Sequence, residues 1–301
     1  MKNNFINEIN QRGFFHQCTD QEKLTNLINQ KPIKAYIGFD CTAPSLHVGS
    51  LLQIMCLRII QKHGHRPIVL LGGGTTLIGD PSGKDSTRRI LNEDTINDNI
   101  GKIKKLFEKL LNFKDEKTKP LFVDNAEWLN KLQYIDFLRT VGKHFTINKM
   151  LSYDSVKLRL EREQSLSYME FNYMILQAYD FYKLNEKHGC DLQIGGSDQW
   201  GNIINGVELI RKMSKKESYG LTTPLITVSS GAKMGKTESG AIWLNEDLLS
   251  PYDYWQFWRN TNDSDVKRFL KYFTEISIDN LEKIINEEKN INNLKILLAN
   301  E

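Results

Sequence analysis

Residues 35–50 read AYIGFDCTAPSLHVGS and contain, in order, a strand, a polar loop and the start of a helix. The apolar run Ala35–Phe39 predicts a buried strand, and the loop after it carries a carboxylate, two hydroxyls and an imidazole. The apolar positions beyond the loop recur at helical spacing: Leu51, Leu52, Met55, Ile59 and Ile60. Because the first backbone N–H groups of a helix lack partners within it, we expect this helix start to hold an anion.

A second segment, about two hundred residues later, complements the first. It reads Lys233-Met234-Gly235-Lys236-Thr237, a small loop with two lysines and a hydroxyl. Lysines bind phosphate as compact point charges, and mobile loops commonly complete a site only when the substrate binds. A phosphate chain held between a helix start and a lysine loop suits nucleotidyl transfer. Taken alone, these five residues would more often form an ordinary solvated loop.

Two glycine–lysine segments superficially suggest a P-loop, but their spacing excludes one. In Gly79–Lys84 and in Gly231–Lys236 only three residues separate the two glycines, whereas the P-loop motif has four. The first segment also lacks a serine or threonine after its lysine. A P-loop NTPase is therefore a poor alternative.

Strand candidates alternate with helical patterns along most of the chain. Five strands are predicted, at 34–39, 66–72, 119–123, 191–195 and 222–228. Residues 1–32 read as amphipathic helix before the first of them. The alternation predicts an α/β fold with a parallel sheet and right-handed crossovers. Polar motifs follow the first, second and a later strand, at the carboxyl edge where such sheets bind ligands.

Length and composition exclude several classes of protein. The chain has 301 residues, of which 40% are hydrophobic and 26% charged, as in an ordinary globular protein. The formal net charge of +3 gives no general attraction for nucleic acid, so an RNA partner would need a local basic patch. The polar N-terminus and the lack of a membrane-length apolar run predict no signal peptide and no membrane partner. Four scattered cysteines fit reduced thiols in a cytoplasmic protein.

Longer motifs identify the family that the two short segments suggest. Cys41–Ser50 and Lys233–Thr237 resemble the paired HIGH and KMSKS motifs of class I aminoacyl-tRNA synthetases. Three further stretches are similar to the bacterial tyrosyl-tRNA synthetases: Thr76–Lys84, Tyr173–Asp180 and Gln193–Asn202. The resemblance implies a Rossmann-like catalytic domain, activation of L-tyrosine by ATP with release of pyrophosphate, and transfer of tyrosine to the 3′ end of tRNA(Tyr).

The resemblance also implies three groups of site residues. The residues expected to contact the reacting phosphates are Thr42, His47, Lys84, Arg88, Lys233, Lys236 and Thr237. Contacts to tyrosine fall to Tyr36, Asp80, Tyr173, Gln177, Asp180 and Gln199. Contacts to the adenosine part of ATP fall to Asp40, Gly49, Ser50, Gly196, Asp198 and Lys236. Ser50 departs from the family pattern, which often has a histidine there that approaches the ribose.

The expected amino-acid pocket favours tyrosine over tryptophan, whose synthetases share the architecture. Tyr36 and Asp180 could pair with a phenolic hydroxyl, which an indole lacks, and Asn125 is expected to help orient this pocket. Taken alone, Tyr36 would more often be a packing residue and Asp180 a solvated helix position. The alternative from a different functional class is a non-catalytic RNA-binding or scaffolding protein derived from a synthetase. Degraded nucleotide-binding motifs would favour that alternative.

The expected reaction needs no protein nucleophile, because the substrate carboxylate itself attacks the α-phosphorus of ATP. Catalysis then consists of positioning and charge stabilisation. Magnesium is expected on the ATP oxygens, with no metal held by the protein.

The chain is expected to divide into three parts. These are a catalytic domain at 1–228 with a helical insertion at about 125–165, a lysine loop and linker at 229–249, and an incomplete helical domain at 250–301. In the family this insertion forms the dimer interface, so we expect a homodimer. Phe137, Leu138, Phe145 and Ile147 are candidates for the interface or for the core. An apolar run that ends near Leu298 without a cap predicts a truncated chain that lacks the family's C-terminal RNA-binding domain.

Overall fold

The computed structural model describes residues 4–80, 91–229, 231, 234–237 and 240–301. Three of the predicted site residues, Lys84, Arg88 and Lys233, lie outside the described residues. Lys236 and Thr237 are described as backbone, and their side chains lie outside the description.

A six-stranded sheet forms the centre of the described part of the chain. Its strands are β1 (Gln17–Cys18), β2 (Lys34–Phe39), β3 (Arg66–Leu71), β4 (Leu121–Asp124), β5 (Leu192–Gly196) and β6 (Tyr219–Thr223). They lie in the order β1-β6-β5-β2-β3-β4, with β1 antiparallel to β6 and the other pairs parallel. The chain runs outward from β2 in one direction through β3 and β4, and from β5 in the other through β6. The strand order therefore reverses between β2 and β5, which is where open α/β sheets form a ligand crevice.

Helices make the connections between the strands. The first are α1 (Phe5–Arg12), α2 (Gln21–Gln30), α3 (Leu51–Lys62) and α4 (Glu93–Leu110). A run of short helices follows β4: α5 (Ala126–Leu129), α6 (Tyr134–Thr140), α7 (Ile147–Leu151) and α8 (Asp154–Glu161). Two long helices flank β5, namely α9 (Tyr168–His188) and α10 (Trp200–Ser214). After the hairpin β7 (Lys236–Thr237) and β8 (Gly240–Ala241) come α11 (Pro251–Arg259), α12 (Asp263–Phe273), α13 (Ile278–Glu287) and α14 (Ile291–Asn300).

The parallel α/β architecture is confirmed, with two local corrections. The strand predicted at 222–228 lies instead at Tyr219–Thr223, because Pro224 has no N–H to extend the ladder. The predicted helical segment 1–32 is interrupted after α1 by Gly13, whose φ of 84° suits glycine at a helix end. The chain then forms β1, which pairs with β6, before α2 begins.

One apolar core joins the sheet to the C-terminal helices. Phe39 of β2 packs edge-on against Phe107 of α4, with ring centroids 4.9 Å apart. The same buried cluster continues to Phe269 of α12 and Leu294 of α14. No helix within the described ranges is both long and apolar enough to cross a bilayer.

Candidate active site

An open cleft of about 520 Å³ lies beyond the carboxyl ends of β2 and β5, at the reversal of strand order. This volume is in the range of small-molecule sites. Every predicted site residue whose side chain or glycine is described lines it: Tyr36, Asp40, Thr42, His47, Gly49, Ser50, Asp80, Tyr173, Gln177, Asp180, Gly196, Asp198 and Gln199. Residues up to 163 positions apart in sequence therefore meet at one site because the sheet brings its motifs to one edge.

The deep end of the cleft holds a buried phenol and a buried carboxylate. Tyr36, on β2, is 1% exposed, and its hydroxyl has no hydrogen-bond partner among the residues that the structure describes. Asp180, on α9, is 2% exposed. Burial raises the pKa of Asp180 to about 7, although hydrogen bonds from Asn125 and Trp128 oppose the rise. Burial likewise raises the pKa of Tyr36, so its hydroxyl keeps its proton at neutral pH.

Two donors hold the Asp180 carboxylate in place. The Asn125 side-chain amide donates to Asp180 Oδ2 over 2.9 Å, and Trp128 Nε1 donates to Asp180 Oδ1 over 2.7 Å. Asn125 is itself fixed, since its oxygen accepts from the backbone N–H of Gly74 at 2.8 Å and its nitrogen donates to Thr75 Oγ1 at 2.9 Å. The carboxylate therefore keeps one orientation in the pocket.

A network of side-chain amides forms the next part of the cleft. Gln199 Nε2 donates to Asp80 Oδ2 over 2.9 Å. Asn202, in the first turn of α10, donates from Nδ2 to Gln177 Oε1 at 2.9 Å and to Gln199 Oε1 at 3.1 Å. Tyr173 lies one helical turn before Gln177 on α9, and its hydroxyl reaches Asp40 Oδ1 at 3.4 Å. Carboxylate and amide oxygens thus converge on this part of the cleft.

His47 lines the outer part of the cleft, and a hydrogen bond to its ring indicates which nitrogen carries the hydrogen. Its Nδ1 accepts the backbone N–H of Gly49 over 2.9 Å. A neutral imidazole carries one hydrogen, so an accepting Nδ1 places that hydrogen on Nε2. The ring can therefore donate from Nε2 to an anion.

The predicted anion site on free backbone N–H groups is wrong. Residues 48–50 form a 3-10 turn, and α3 begins only at Leu51. The N–H groups of Val48, Gly49 and Ser50 already bind Ile242 O, His47 Nδ1 and His47 O. Because these donors are occupied, phosphate contacts at this helix start must come from side chains.

The segment around His47 is joined to the lysine loop by backbone hydrogen bonds. Val48 N donates to Ile242 O over 2.8 Å, and Leu244 N donates to Leu46 O over 2.9 Å. Ile242 N in turn donates to Gly235 O over 3.2 Å. The two motifs that were recognised separately in the sequence are therefore joined through residues 242–244, which bind residues 46–48 on one side and Gly235 on the other.

Two glycines allow this close approach. A Cβ on Gly49 would lie 2.8 Å from the Met234 carbonyl oxygen, and a Cβ on Gly235 would lie 2.7 Å from the Gly49 nitrogen. Gly235 also has a φ of 98°, which L-residues rarely adopt. In this structure the missing side chain of Gly49 leaves room for the lysine loop.

The roles of two residues of the site were not predicted from the sequence. Trp128 follows the predicted Asn125 by three positions, a spacing that places both on one helical face and could have revealed it. Asn202 lies inside a recognised motif but was given no role. Among the described residues, no group of three or more His, Cys, Asp and Glu side chains is arranged to hold a metal ion.

Comparisons with known proteins give a consistent result. Residues 28–301 match the family model described as tRNA synthetases class I (W and Y). A tyrosine--tRNA ligase of Pelagibacter ubique is 69% identical over 99% of this chain and 73% of its own length. A tyrosine--tRNA ligase of Zymomonas mobilis is 60% identical over 100% of this chain and 74% of its own length.

Solved structures agree with these relatives. A C-terminally truncated mitochondrial tyrosyl-tRNA synthetase of Aspergillus nidulans superposes with a TM-score of 0.86 and 32% identity, over 98% of this chain and 87% of that one. A tyrosyl-tRNA synthetase of Archaeoglobus fulgidus, at 18% identity and a TM-score of 0.73, shares the fold. The family model, the identities and the cleft together establish that this chain belongs to the class I tRNA synthetases of the tryptophan and tyrosine group, among the tyrosine--tRNA ligases.

Proposed function

We propose that this chain activates L-tyrosine with ATP and transfers the tyrosyl group to the 3′ end of tRNA(Tyr). The observation that carries the proposal is the buried pair at the deep end of the cleft. Tyr36 presents a hydroxyl that no described residue binds, and Asp180 presents a carboxylate with a fixed orientation. A buried polar group without a partner is costly, and a substrate phenol is a group that would satisfy both residues.

The α-ammonium and α-carboxylate groups of tyrosine are proposed to bind at the amide network. The α-ammonium group is bound by Asp80, Tyr173 and Gln177, all of which line the cleft between the deep pocket and the lysine loop. Gln199 borders the α-carboxylate. This placement directs the carboxylate toward the outer cleft, where His47 and the loop lie.

The first chemical step occurs at the outer cleft. A carboxylate oxygen of tyrosine attacks the α-phosphorus of ATP, an O–P bond forms, and the bond to pyrophosphate breaks. Thr42 and His47 Nε2 donate to the γ-phosphate as charge develops on it, and Lys84, Arg88, Lys233, Lys236 and Thr237 complete the charge stabilisation. In the second step a ribose hydroxyl of the tRNA 3′ end attacks the carbonyl carbon, loses its proton, and displaces AMP.

ATP is held on its adenosine side by Asp40, Gly49, Ser50, Gly196 and Asp198, and Lys236 is assigned to the same group of contacts. We assign the Mg²⁺ that accompanies ATP to the phosphate oxygens, because this ion prefers water and substrate phosphates to an all-protein cage. It supplies charge neutralisation on the phosphates when bound.

We also propose that the chain works as a homodimer in the cytoplasm. Large apolar side chains between 134 and 168 are exposed, among them Tyr168 at 66%, Ile135 at 64% and Ile147 at 60%. Such a patch is typical of a protein interface. Of the four candidates from the sequence, Leu138 and Ile147 are exposed, whereas Phe137 and Phe145 pack on the local core below them.

We also propose that the chain is divided into three parts. It consists of a catalytic domain at 1–228 with the insertion at about 125–165, a lysine loop and linker at 229–249, and a helical domain at 250–301. The N-cap at Ser250, whose hydroxyl accepts from Asp253 N at 3.1 Å, supports the last boundary.

The test is amino-acid-dependent exchange between ATP and pyrophosphate, measured with tyrosine, phenylalanine and tryptophan. Tyrosine alone should support rapid exchange. Tyr36→Phe and Asp180→Ala should each weaken the preference for tyrosine over phenylalanine by about 5- to 150-fold, since each removes one partner of the phenol. Exchange supported equally by tryptophan, or no exchange at all, would refute the proposal.

A further inference from the structure

Asn202 lies under the floor of the cleft and contacts both glutamines of the site. It is 4% exposed and belongs to the first turn of α10, directly after the loop that carries Gln199. Its one amide nitrogen donates to Gln177 Oε1 at 2.9 Å and to Gln199 Oε1 at 3.1 Å. Asn202 therefore uses both of its amide hydrogens on side chains that belong to the site.

These two hydrogen bonds determine which way the glutamine amides face. A flip of a side-chain amide exchanges the positions of its oxygen and its NH₂ group. Because Asn202 is a donor, it can bind each glutamine in only one of the two orientations. The reversed amide would place its NH₂ group against the NH₂ group of Asn202. For Gln199 the constraint is double, since its NH₂ group must also meet Asp80 Oδ2 at 2.9 Å.

The orientation matters for the charge of the ligand. A carbonyl oxygen has two lone pairs, so Gln177 Oε1 can accept from Asn202 and from a ligand N–H at the same time. A reversed Gln177 would present NH₂ to a substrate ammonium group, which needs acceptors. A reversed Gln199 would turn its oxygen toward the Asp80 carboxylate and displace it.

We propose that Asn202 is a positioning residue that makes this part of the cleft a receptor for a primary ammonium group, by fixing Gln177, Gln199 and, through Gln199, Asp80. The inference rests on the proposed function, because it concerns how the α-ammonium of tyrosine is recognised. It assigns to Asn202 no contact with the substrate.

The experiment compares three ligands that differ in one group each. Tyrosine carries the ammonium and the carboxylate, tyramine carries only the ammonium, and 3-(4-hydroxyphenyl)propanoate carries only the carboxylate. KM for tyrosine and ATP and inhibition constants for the two analogues are measured by pyrophosphate exchange. The enzymes are the unmodified chain, Asn202→Leu, Asn202→Ser and the control Asn205→Leu.

Asn205 is a matched control because it lies one turn further along α10 with the same 4% exposure. Its oxygen accepts from Tyr153 OH at 3.1 Å, away from the glutamines of the site. A general effect of losing a buried asparagine from this helix would therefore appear in both leucine variants.

We expect Asn202→Leu to weaken tyrosine and tyramine at least tenfold and to change KM for ATP less than twofold. The propanoate, whose carboxylate borders only Gln199, should weaken by a clearly smaller factor than tyramine. Asn202→Ser, which keeps one donor hydrogen, should fall between, and it decides the question if the leucine variant does not fold. Equal weakening of all three ligands, or unchanged tyramine affinity in an active Asn202 variant, would overturn the inference. Lack of tyrosine-dependent exchange in the unmodified chain would instead overturn the proposed function.

Discussion

Replacing Asp180 with asparagine should change how stability depends on pH. In the folded chain burial raises the pKa of Asp180 from 3.8 to about 7. Between these values the folded state holds a proton that the unfolded state has released, so a rise in pH favours unfolding. The full difference corresponds to about 4 kcal/mol, and the slope reaches about 1.4 kcal/mol per pH unit between pH 4 and 7.

The unmodified chain alone would conceal this slope, because a second buried group acts in the opposite direction. Burial lowers the pKa of His65 from 6.5 to about 4, so that group loses stabilisation as the pH falls through the same window. Glu8, whose pKa is held well below its usual range by His63, Lys62 and Arg12 against the cost of burial, changes only below about pH 4.5. Subtracting the variant from the unmodified chain removes both contributions.

The assay is urea unfolding from pH 4.5 to 8.5 at fixed protein concentration, without tyrosine, followed by fluorescence and circular dichroism. Asp180→Asn should carry a constant penalty, because its NH₂ group faces either Asn125 or Trp128. Relative to the unmodified chain its free energy of unfolding should then rise with pH up to about pH 7, by up to about 4 kcal/mol over the whole titration. Curves that stay parallel within about 0.5 kcal/mol would refute the buried, protonated carboxyl.

Three other substitutions test separate parts of the structure. Trp128→Phe removes the indole donor from Asp180, so it should raise the pKa of that carboxyl further and weaken tyrosine binding about 5- to 15-fold, measured by equilibrium dialysis. Gly235→Ala forces a side chain against Gly49, so it should slow adenylate formation at least tenfold in stopped-flow fluorescence while tyrosine affinity is kept. Ile135→Asp places a charge in the exposed apolar patch, so light scattering should show a fall from twice the monomer mass to the monomer mass.

Each of these tests has a control within the chain. Trp255→Phe removes a half-buried indole that donates to Asn300, and it should leave tyrosine binding unchanged. Gly240→Ala also carries a positive φ, of 118°, but its Cβ would meet nothing within 4 Å, so a loss as large as in Gly235→Ala would contradict the contact argument. Ile296→Asp alters an exposed position on α14, and a monomer produced equally by both aspartates would remove the case for the patch.

The fold and the composition of the cleft could be predicted because they depend on local patterns. The run Ala35–Phe39 is long, apolar and followed by polar residues, so the strand and its carboxyl end were both evident. Parallel packing then requires that such ends meet at one edge, which is why Asp40, Asp80 and Asp198 share a cleft.

The rest depends on contacts between distant segments. β1 is two residues long and exists because β6 offers it a partner, so no periodicity could reveal it. The roles of Trp128 and Asn202 follow from the atoms they reach, Asp180 in one case and two glutamines in the other. The N–H of Val48 is likewise occupied by Ile242, which lies almost two hundred positions away.

The backbone hydrogen bonds between residues 46–48 and 242–244 fix the position of the His47 segment relative to the lysine loop. Substitution of side chains along these segments leaves the main-chain bonds that set the spacing of the motifs in place. Insertion of one residue into either strand of the β7–β8 hairpin would shift its pairing by one position, and the loop would then meet residues 242–244 in a different register. The length of this short connection should therefore tolerate far less variation than the long stretch of chain that separates the two motifs in sequence.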